Sequence, residues 1–335
     1  MKKITIVGIS DVSASIGLCL RKAGIKNTEI VGTSANRKIL RQAKDLGVID
    51  VADTDESSAV KGSGLIILDL PLSETQDFLE SVGTKISSGT VVTDLLHVKS
   101  KIQEWAKNNL PENVSFIGGH PLVNHNQSSK DSINLISLDE IDYVLVPSIN
   151  SSESALNTVV RMVETLGAKP LFMDAFEHDS YSLGVTLLPQ LTSFASVSSA
   201  SNSPGWNDIS KFAGEYFQQM ATLASNDPEH VMDLVKQNPA VTTVWLQKII
   251  DVLLKYKENI DKSNFEELFD DLINSWEDRA KWEQGVEDSP NKNDIPAVKT
   301  TMTSMLVGGR IAEKMSKMES AQEKPKWKYF KRSKK

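Results

Sequence analysis

One cysteine in 335 residues, Cys19, excludes a disulfide framework and a cysteine-rich metal site. No apolar run is long enough to cross a bilayer. Lys2 and Lys3 precede only about five apolar residues before a turn, too few for a secretory leader. These absences predict a reducing, cytoplasmic compartment. Positive charge is also short. The 37 Lys and Arg face 44 Asp and Glu, a net charge of −7, which argues against nucleic acid or a membrane as partner. The five histidines are scattered without ligand spacing, so no metal is expected. What remains is an ordinary globular composition, 40% hydrophobic and 24% charged, with length for two domains and a large core.

Strand and helix signals alternate from residue 4 to about 174. Strands are predicted at Ile4–Val7, Glu29–Gly32, Ile49–Ala52, Gly64–Leu70, Val91–Thr93, Val114–Ile117, Ile133–Ile136, Tyr143–Val146 and Pro170–Met173. Helices are predicted after the first strand and over Arg37–Leu46, Thr75–Val82 with Ser73 as its cap, Lys99–Asn108 and Ser154–Leu166. Repeated βα units imply an α/β fold with a doubly wound, mostly parallel, Rossmann-like sheet over 1–174. An all-α domain follows over 175–320, and a basic tail over 321–335. In the helical part Asp227-Pro228 reads as a cap with proline at the first helical position. Ser263-x-x-Glu266 reads as a capping box. Phe265, Leu268, Phe269, Leu272, Ile273 and Trp276 then share one helical face, and Met302, Met305 and Leu306 suggest another buried helix. Ser196–Asn207 and 285–296 read as polar loops.

The first strand ends in a turn that opens a helix, the arrangement that seats a pyrophosphate. The usual G-x-G-x-x-G is replaced by Gly8-x-Ser10-x-x-Ser13, with Asp11 and Val12 inside it. Gly8, Ser10, Asp11, Val12 and Ser13 are therefore the candidate phosphate contacts, and Asp11 puts negative charge where phosphate would sit. At the end of the second strand no carboxylate stands ready for ribose hydroxyls; Thr33, Ser34 and Arg37 do, with Lys38 beside them. Hydroxyl and guanidinium groups suit a 2′-phosphate, so NADP is expected over NAD. Leu70 and Pro71, where the next strand ends, complete the candidate cofactor edge.

Three further segments stand at strand ends: Thr93-Asp94-Leu95-Leu96-His97-Val98-Lys99, Gly118-Gly119-His120-Pro121 and Glu177-His178-Asp179. With Tyr143-Val144-Leu145-Val146-Pro147, their order and spacing resemble the prephenate/arogenate dehydrogenase family. Lys211-Phe212-Ala213, Asn226-Asp227-Pro228 and Asn238-Pro239 are similar to segments of its archaeal branch. The resemblance implies an NADP-dependent oxidative decarboxylation of a cyclic carboxylate in tyrosine biosynthesis, by a homodimer. It assigns the base to His120. It also implies that His97 stands where the family has serine, Leu187 and Gln190 in the S-H-L-P-H-type segment, and Thr222 where the carboxylate-binding arginine falls. The catalytic candidates are His120, His97 and Gln190, with Lys99, Lys211 or Arg310 as replacement cations. His178-Asp179 reads as the cap of the first helix of the second domain. His230 reads as solvent-facing, and His125 as a surface-loop residue. The departures leave two readings open, an enzyme of this type or a non-catalytic relative serving as a ligand-binding or dimeric scaffold.

Overall fold

The computed structural model describes residues 2–284 apart from Lys26, 124–131 and 149–150. His125, Arg310, the 285–296 break, the Met302–Leu306 segment and the basic tail fall outside these residues. The first part alternates β1 (Lys2–Val7), α1 (Asp11–Lys22), β2 (Thr28–Thr33), α2 (Arg37–Asp45), β3 (Val51–Ala52), α3 (Glu56–Val60), β4 (Leu65–Leu68) and α4 (Leu72–Val82). It continues with β5 (Val91–Asp94), α5 (Ser100–Asn109), β6 (Ser115–Pro121), β7 (Asp142–Pro147), α6 (Glu153–Thr165) and β8 (Lys169–Phe172). The eight strands form one sheet in the order β3-β2-β1-β4-β5-β6-β7-β8. Every pair is parallel except β6 with β7. This is the expected Rossmann-like, mostly parallel sheet, followed by helices.

Side chains alternate across each strand, so one sheet feeds two cores. Ile4, Ile6, Leu65, Ile67 and Val91 pack with Ile16, Leu20 and Val159 on one side. Val7, Ile66, Leu68 and Val92 pack with Phe78, Ile102, Leu183 and Leu234 on the other. Two glycines set these distances. A Cβ on Gly17 would lie 2.9 Å from Val48, and one on Gly8, at φ +78°, would lie 2.0 Å from the carbonyl oxygen of Asp69.

Several sequence expectations are corrected. Ile133–Ile136 is not a strand. Three of its four N–H groups are taken by side chains, which breaks any ladder: Ile133 donates to Gln42 Oε1, Asn134 to Asp11 Oδ1 and Ile136 to Ser15 Oγ. The α4 helix starts at Leu72 with Pro71 in the cap position, so Ser73 lies inside the first turn. Between β3 and β4 the short α3 went unforeseen.

Beyond the sheet come α7 (Ala175–Ser201), α8 (Trp206–Ile209), α9 (Glu215–Ala221), α10 (Pro228–Gln237), α11 (Pro239–Asp261) and α12 (Phe265–Glu283). Ser196–Ser201, expected as loop, is the last stretch of α7. A Cβ on Gly184 would lie 2.4 Å from the Trp245 indole, so the glycine admits that ring, whose Nε1 donates to the Ser180 carbonyl. Asp227 caps α10, with Pro228 in the first turn as expected. The Ser263 capping box does not form: Ser263 has φ +57°, and the cap position falls on Asn264, which makes no side-chain cap bond. The described residues divide into two compact units, with the division between Leu246 and Gln247. In the second, Lys255 ties the end of α11 to α12 by pairing with Asp271 at 2.7 Å. Phe265, Phe269, Leu272 and Trp276 of α12, expected as core, are exposed in the single chain. No described helix is long and apolar enough to cross a membrane.

Candidate active site

Strands β5 and β6 end side by side, and their ends are built around a buried ion pair. Lys99 and Asp94 are both fully buried, and Lys99 Nζ bonds Asp94 Oδ2. A buried pair is tolerable only when its remaining hydrogen-bonding capacity is filled. Asp94 also accepts from Leu96 N at 3.1 Å and from Gly119 N at 3.1 Å. The glycine doublet before His120 follows from this packing. A Cβ on Gly118 would lie 2.8 Å from the Lys99 stem, and one on Gly119 would lie 2.7 Å from the Asp94 carbonyl oxygen.

His120, near the end of β6, is 6% exposed. Its Nδ1 lies 2.8 Å from Nε2 of His178, and His178 Nδ1 lies 3.0 Å from Asp179 Oδ1. Asp179 also accepts from the backbone of Lys99 at 2.5 Å and of Ser100 at 2.9 Å. The hydrogen-bond order assigns the tautomers. A carboxylate only accepts, so His178 donates from Nδ1 and is left with an acceptor at Nε2. His120 then donates from Nδ1, and the lone pair of its Nε2 points away from the relay. That is the arrangement of a general base.

This corrects the reading of His178-Asp179 as the cap of α7. Asp174 caps that helix through Phe176 N and Glu177 N. Asp179 instead serves the start of α5, where Lys99 in the cap position offers no side-chain bond of its own. No local signal in the sequence points to Asp179, since Ser100 beside Lys99 offers itself as the cap.

His97 packs edge-to-face on His120 with ring centroids 4.6 Å apart. No hydrogen bond to His97 forms among the described residues, and its ring is open to solvent. Burial acts downward on all three imidazoles of the cluster. His97 is lowered to about 4 by desolvation, then by Lys99, His178 and His230; its open edge lets solvent screen part of that effect. His120 is pushed well below the usual histidine range by desolvation, then by His97, Lys99 and His178. His178 is lowered by desolvation against the upward pull of Asp179. All three are thus neutral at neutral pH. His230 on α10 is exposed, as expected.

Gln190 is not brought into this cluster by any hydrogen bond. Its Nε2 donates to Thr186 O at 2.8 Å, and its Oε1 accepts from Asn226 at 2.8 Å. Leu187 is buried in the core. Thr222 is exposed and donates to Gln218 O on its own turn. Of the replacement cations, Lys99 is consumed by Asp94, and Lys211 pairs on the surface with Asp208 at 2.7 Å.

Along the same carboxyl edge of the sheet, the crevice where such sheets bind ligands, Ser10 caps α1, accepting from Val12 N at 3.1 Å, while Ser13 Oγ accepts from Ser10 N at 3.0 Å. Asp11 is 1% exposed. Its carboxylate is turned to Asn134 N at 2.7 Å and does not occupy the mouth of the turn, as the sequence reading had it. Thr33 is buried at the end of β2, and Ser34 Oγ accepts from Asn36 N. Asn36 caps α2, so Arg37 and Lys38 fall in its first turn. Together with Arg41, Gln42 and Asp45 they line an open concavity of about 520 Å³. Leu70 and Pro71 follow β4, the neighbour of β1.

A family model described as "Prephenate dehydrogenase, nucleotide-binding domain" matches residues 16–171, and one described as "Prephenate dehydrogenase, dimerization domain" matches residues 174–273. The chain belongs to the prephenate dehydrogenase family. A prephenate dehydrogenase of Bacillus subtilis is 24% identical over 261 residues, 77% of this chain and 68% of that protein. A second, from Lactococcus lactis, is 27% identical over 78% of this chain and 70% of its own length. The prephenate dehydrogenase of Aquifex aeolicus, solved in complex with hydroxyphenyl propionate and NAD+, superposes with a TM-score of 0.74 at 26% identity, covering 84% of this chain and 98% of that one.

For a member of the prephenate dehydrogenase family the crevice fits a nicotinamide dinucleotide. The β1–α1 turn, the end of β2 and the end of β4 lie on adjacent strands, at the carboxyl edge where such sheets hold nucleotides. The crevice fits with one peculiarity, a carboxylate at the turn, that of Asp69, whose Oδ2 accepts from Ser10 N.

Proposed function

We propose that this chain is a prephenate/arogenate-type dehydrogenase that oxidatively decarboxylates its substrate in tyrosine biosynthesis, prefers NADP and works as a cytoplasmic homodimer. The observation that carries the reading is the Asp179–His178–His120 relay, which leaves the Nε2 of a neutral, nearly buried histidine as an acceptor. A bound nicotinamide would supply the hydride acceptor. His120 takes the proton of the substrate hydroxyl at Nε2 as the hydride leaves the carbon bearing it. The bond to the ring carboxylate breaks, its electron pair completes the aromatic ring as CO2 leaves, and the ring oxygen recovers its proton from His120. The imidazolium formed on His120 is stabilised through His178 by Asp179. His97 lines the same opening as a neutral donor or acceptor for the substrate. Gln190 is placed more weakly, since its amide is already engaged.

The cofactor set is Gly8, Ser10, Val12 and Ser13 at the turn, Thr33, Ser34 and Arg37 for the 2′-phosphate, and Leu70 and Pro71 against the nicotinamide half. Asp11 belongs to this set through its place in the turn, its side chain serving the 132–138 segment. NADP is favoured because Ser34 and Arg37 stand where NAD enzymes carry a carboxylate. The 1–174 segment carries the cofactor and the 175–320 segment the dimer contact, in line with the description of the second family model. The exposed apolar face of α12 supports that assignment.

The test is a calorimetric titration with NADPH and NADH, followed by assays of prephenate and arogenate. Turnover of either substrate that is lost in His120→Asn, with cofactor binding intact, supports the reading. Equal rates for wild type and His120→Asn would remove the base from its role.

A further inference from the structure

The β1–α1 turn is closed by oxygen atoms of the chain itself, and one of them belongs to a carboxylate. Ser10 N donates both to Ser13 Oγ and to Asp69 Oδ2, each at 3.0 Å. The Ser10 side chain in turn accepts from Val12 N and from the backbone of Ser13. A helix N-terminus holds a pyrophosphate with N–H groups of this kind. Here a carboxylate already stands in the place of the anion.

The sheet fixes Asp69 there. Its N–H continues the β1–β4 ladder by donating to Val7 O at 2.7 Å. On the facing side Gly8, lacking a Cβ, lets the Asp69 carbonyl close on the turn. The carboxylate is half-buried. It reaches the fully buried Tyr143 hydroxyl and, after desolvation and with Asp94, opposes its ionisation.

We infer that Asp69 is a built-in competitor for the pyrophosphate of the dinucleotide and sets the affinity of the crevice. Binding requires the carboxylate to yield the Ser10 N–H and to stand beside a phosphate of the same sign. This rests on the reading that a dinucleotide binds at the turn. The pyrophosphate is common to NADPH and NADH, so the effect is the same for both. Asp69 lowers affinity without choosing between them, in contrast to Arg37 at the far end.

The experiment is calorimetric titration of NADPH and of NADH into the full chain, as wild type, Asp69→Asn and Asp69→Ala. Asparagine keeps an oxygen for Ser10 N–H and removes only the charge, so its thermal midpoint should match that of wild type. Both cofactors are expected to bind Asp69→Asn about tenfold more tightly, equivalent to ~1.4 kcal/mol. The alanine variant, which leaves the Ser10 N–H to Ser13 Oγ alone, gains at least as much. Wild-type affinity retained or weakened in a folded Asp69→Asn overturns the inference and leaves the dinucleotide reading standing. Absence of binding by all three proteins at millimolar cofactor overturns the reading, and this inference with it.

Discussion

The two ends of one crevice are built on opposite principles. At the β5–β6 end, polar groups are chained so that an unused lone pair is left over. Asp179 fixes His178, His178 fixes His120, and His120 Nε2 remains. At the β1–α1 end, polar groups are chained so that the turn closes on itself. Ser10 N is taken by Ser13 and Asp69, and Val12 N by Ser10. Both ends are well bonded, and only one is organised toward a missing partner. Hydrogen-bond saturation alone therefore does not mark a functional site. What matters is which atom the chain of bonds leaves without a partner, and of what sign.

The largest break in the comparison is expected at the histidine end. His120→Asn should lower kcat by roughly 10³-fold, within the span of a general base, and leave the Kd for NADPH unchanged. A parallel fall in cofactor affinity would mean that the two ends are not separable. Lys99→Met comes next. It strands the buried Asp94 and should cost about 3–5 kcal/mol in a denaturant titration. Lys99→Met with Asp94→Asn should recover much of that loss, because no uncompensated charge is left. If the double variant is as unstable as the single one, the pair contributes packing and not charge balance. Asp179→Asn should lower kcat by about 10²-fold, since an amide can present N–H to His178 and reverse the tautomers along the relay. A rate near that of wild type would show that His120 is oriented by its strand alone.

pH probes the same end. Folding holds His120 and His178 neutral below the usual histidine pKa. Below about pH 6.5 the unfolded chain takes up protons that the folded chain refuses, so stability falls as pH drops from 6.5 toward the depressed folded values. Each of these two histidines contributes up to about 1.4 kcal/mol per pH unit in that window. Denaturant midpoints between pH 7 and 5 measure the slope, and His178→Gln should reduce it. The acid limb of kcat/KM should likewise lie below pH 6.5, because the base stays deprotonated there.

How much of this was legible in the sequence follows from range. The sheet was readable because Gly64–Leu70 and its counterparts are continuous apolar strands bounded by turns, a local signal. His120 was readable from its Gly-Gly and Pro neighbours. The relay was not, because His120 and His178 are 58 residues apart and meet only when α7 folds back over α5. Local reasoning made His178-Asp179 a cap for its own helix, whereas the cap it supplies is to α5, through Asp179 and the backbone of Lys99 and Ser100. The same blindness to distant partners turned Ile133–Ile136 into a strand. Asp69 is the sharpest case. It is an unremarked residue after an apolar run until β4 is laid beside β1.

The smallest expected effect sharpens the comparison at the cofactor end. Arg37 lies in the first turn of α2, just after the end of β2 in the chain, and lines a solvent-open concavity. A charge pair in so open a place contributes about 1 kcal/mol or less, so Arg37→Ala should weaken NADPH by roughly fivefold and leave NADH where it was. Raising salt should narrow that difference, since exposed charges are screened within about a Debye length. The turn behaves otherwise: removal of the Asp69 charge moves both cofactors together. Crossing Arg37→Ala with Asp69→Asn then separates the two functions of one crevice. Additive changes mean that the 2′-phosphate and the pyrophosphate are sensed independently. If Arg37→Ala weakens NADH as much as NADPH, the residue supports α2 and reads no phosphate, and the preference for NADP loses its basis.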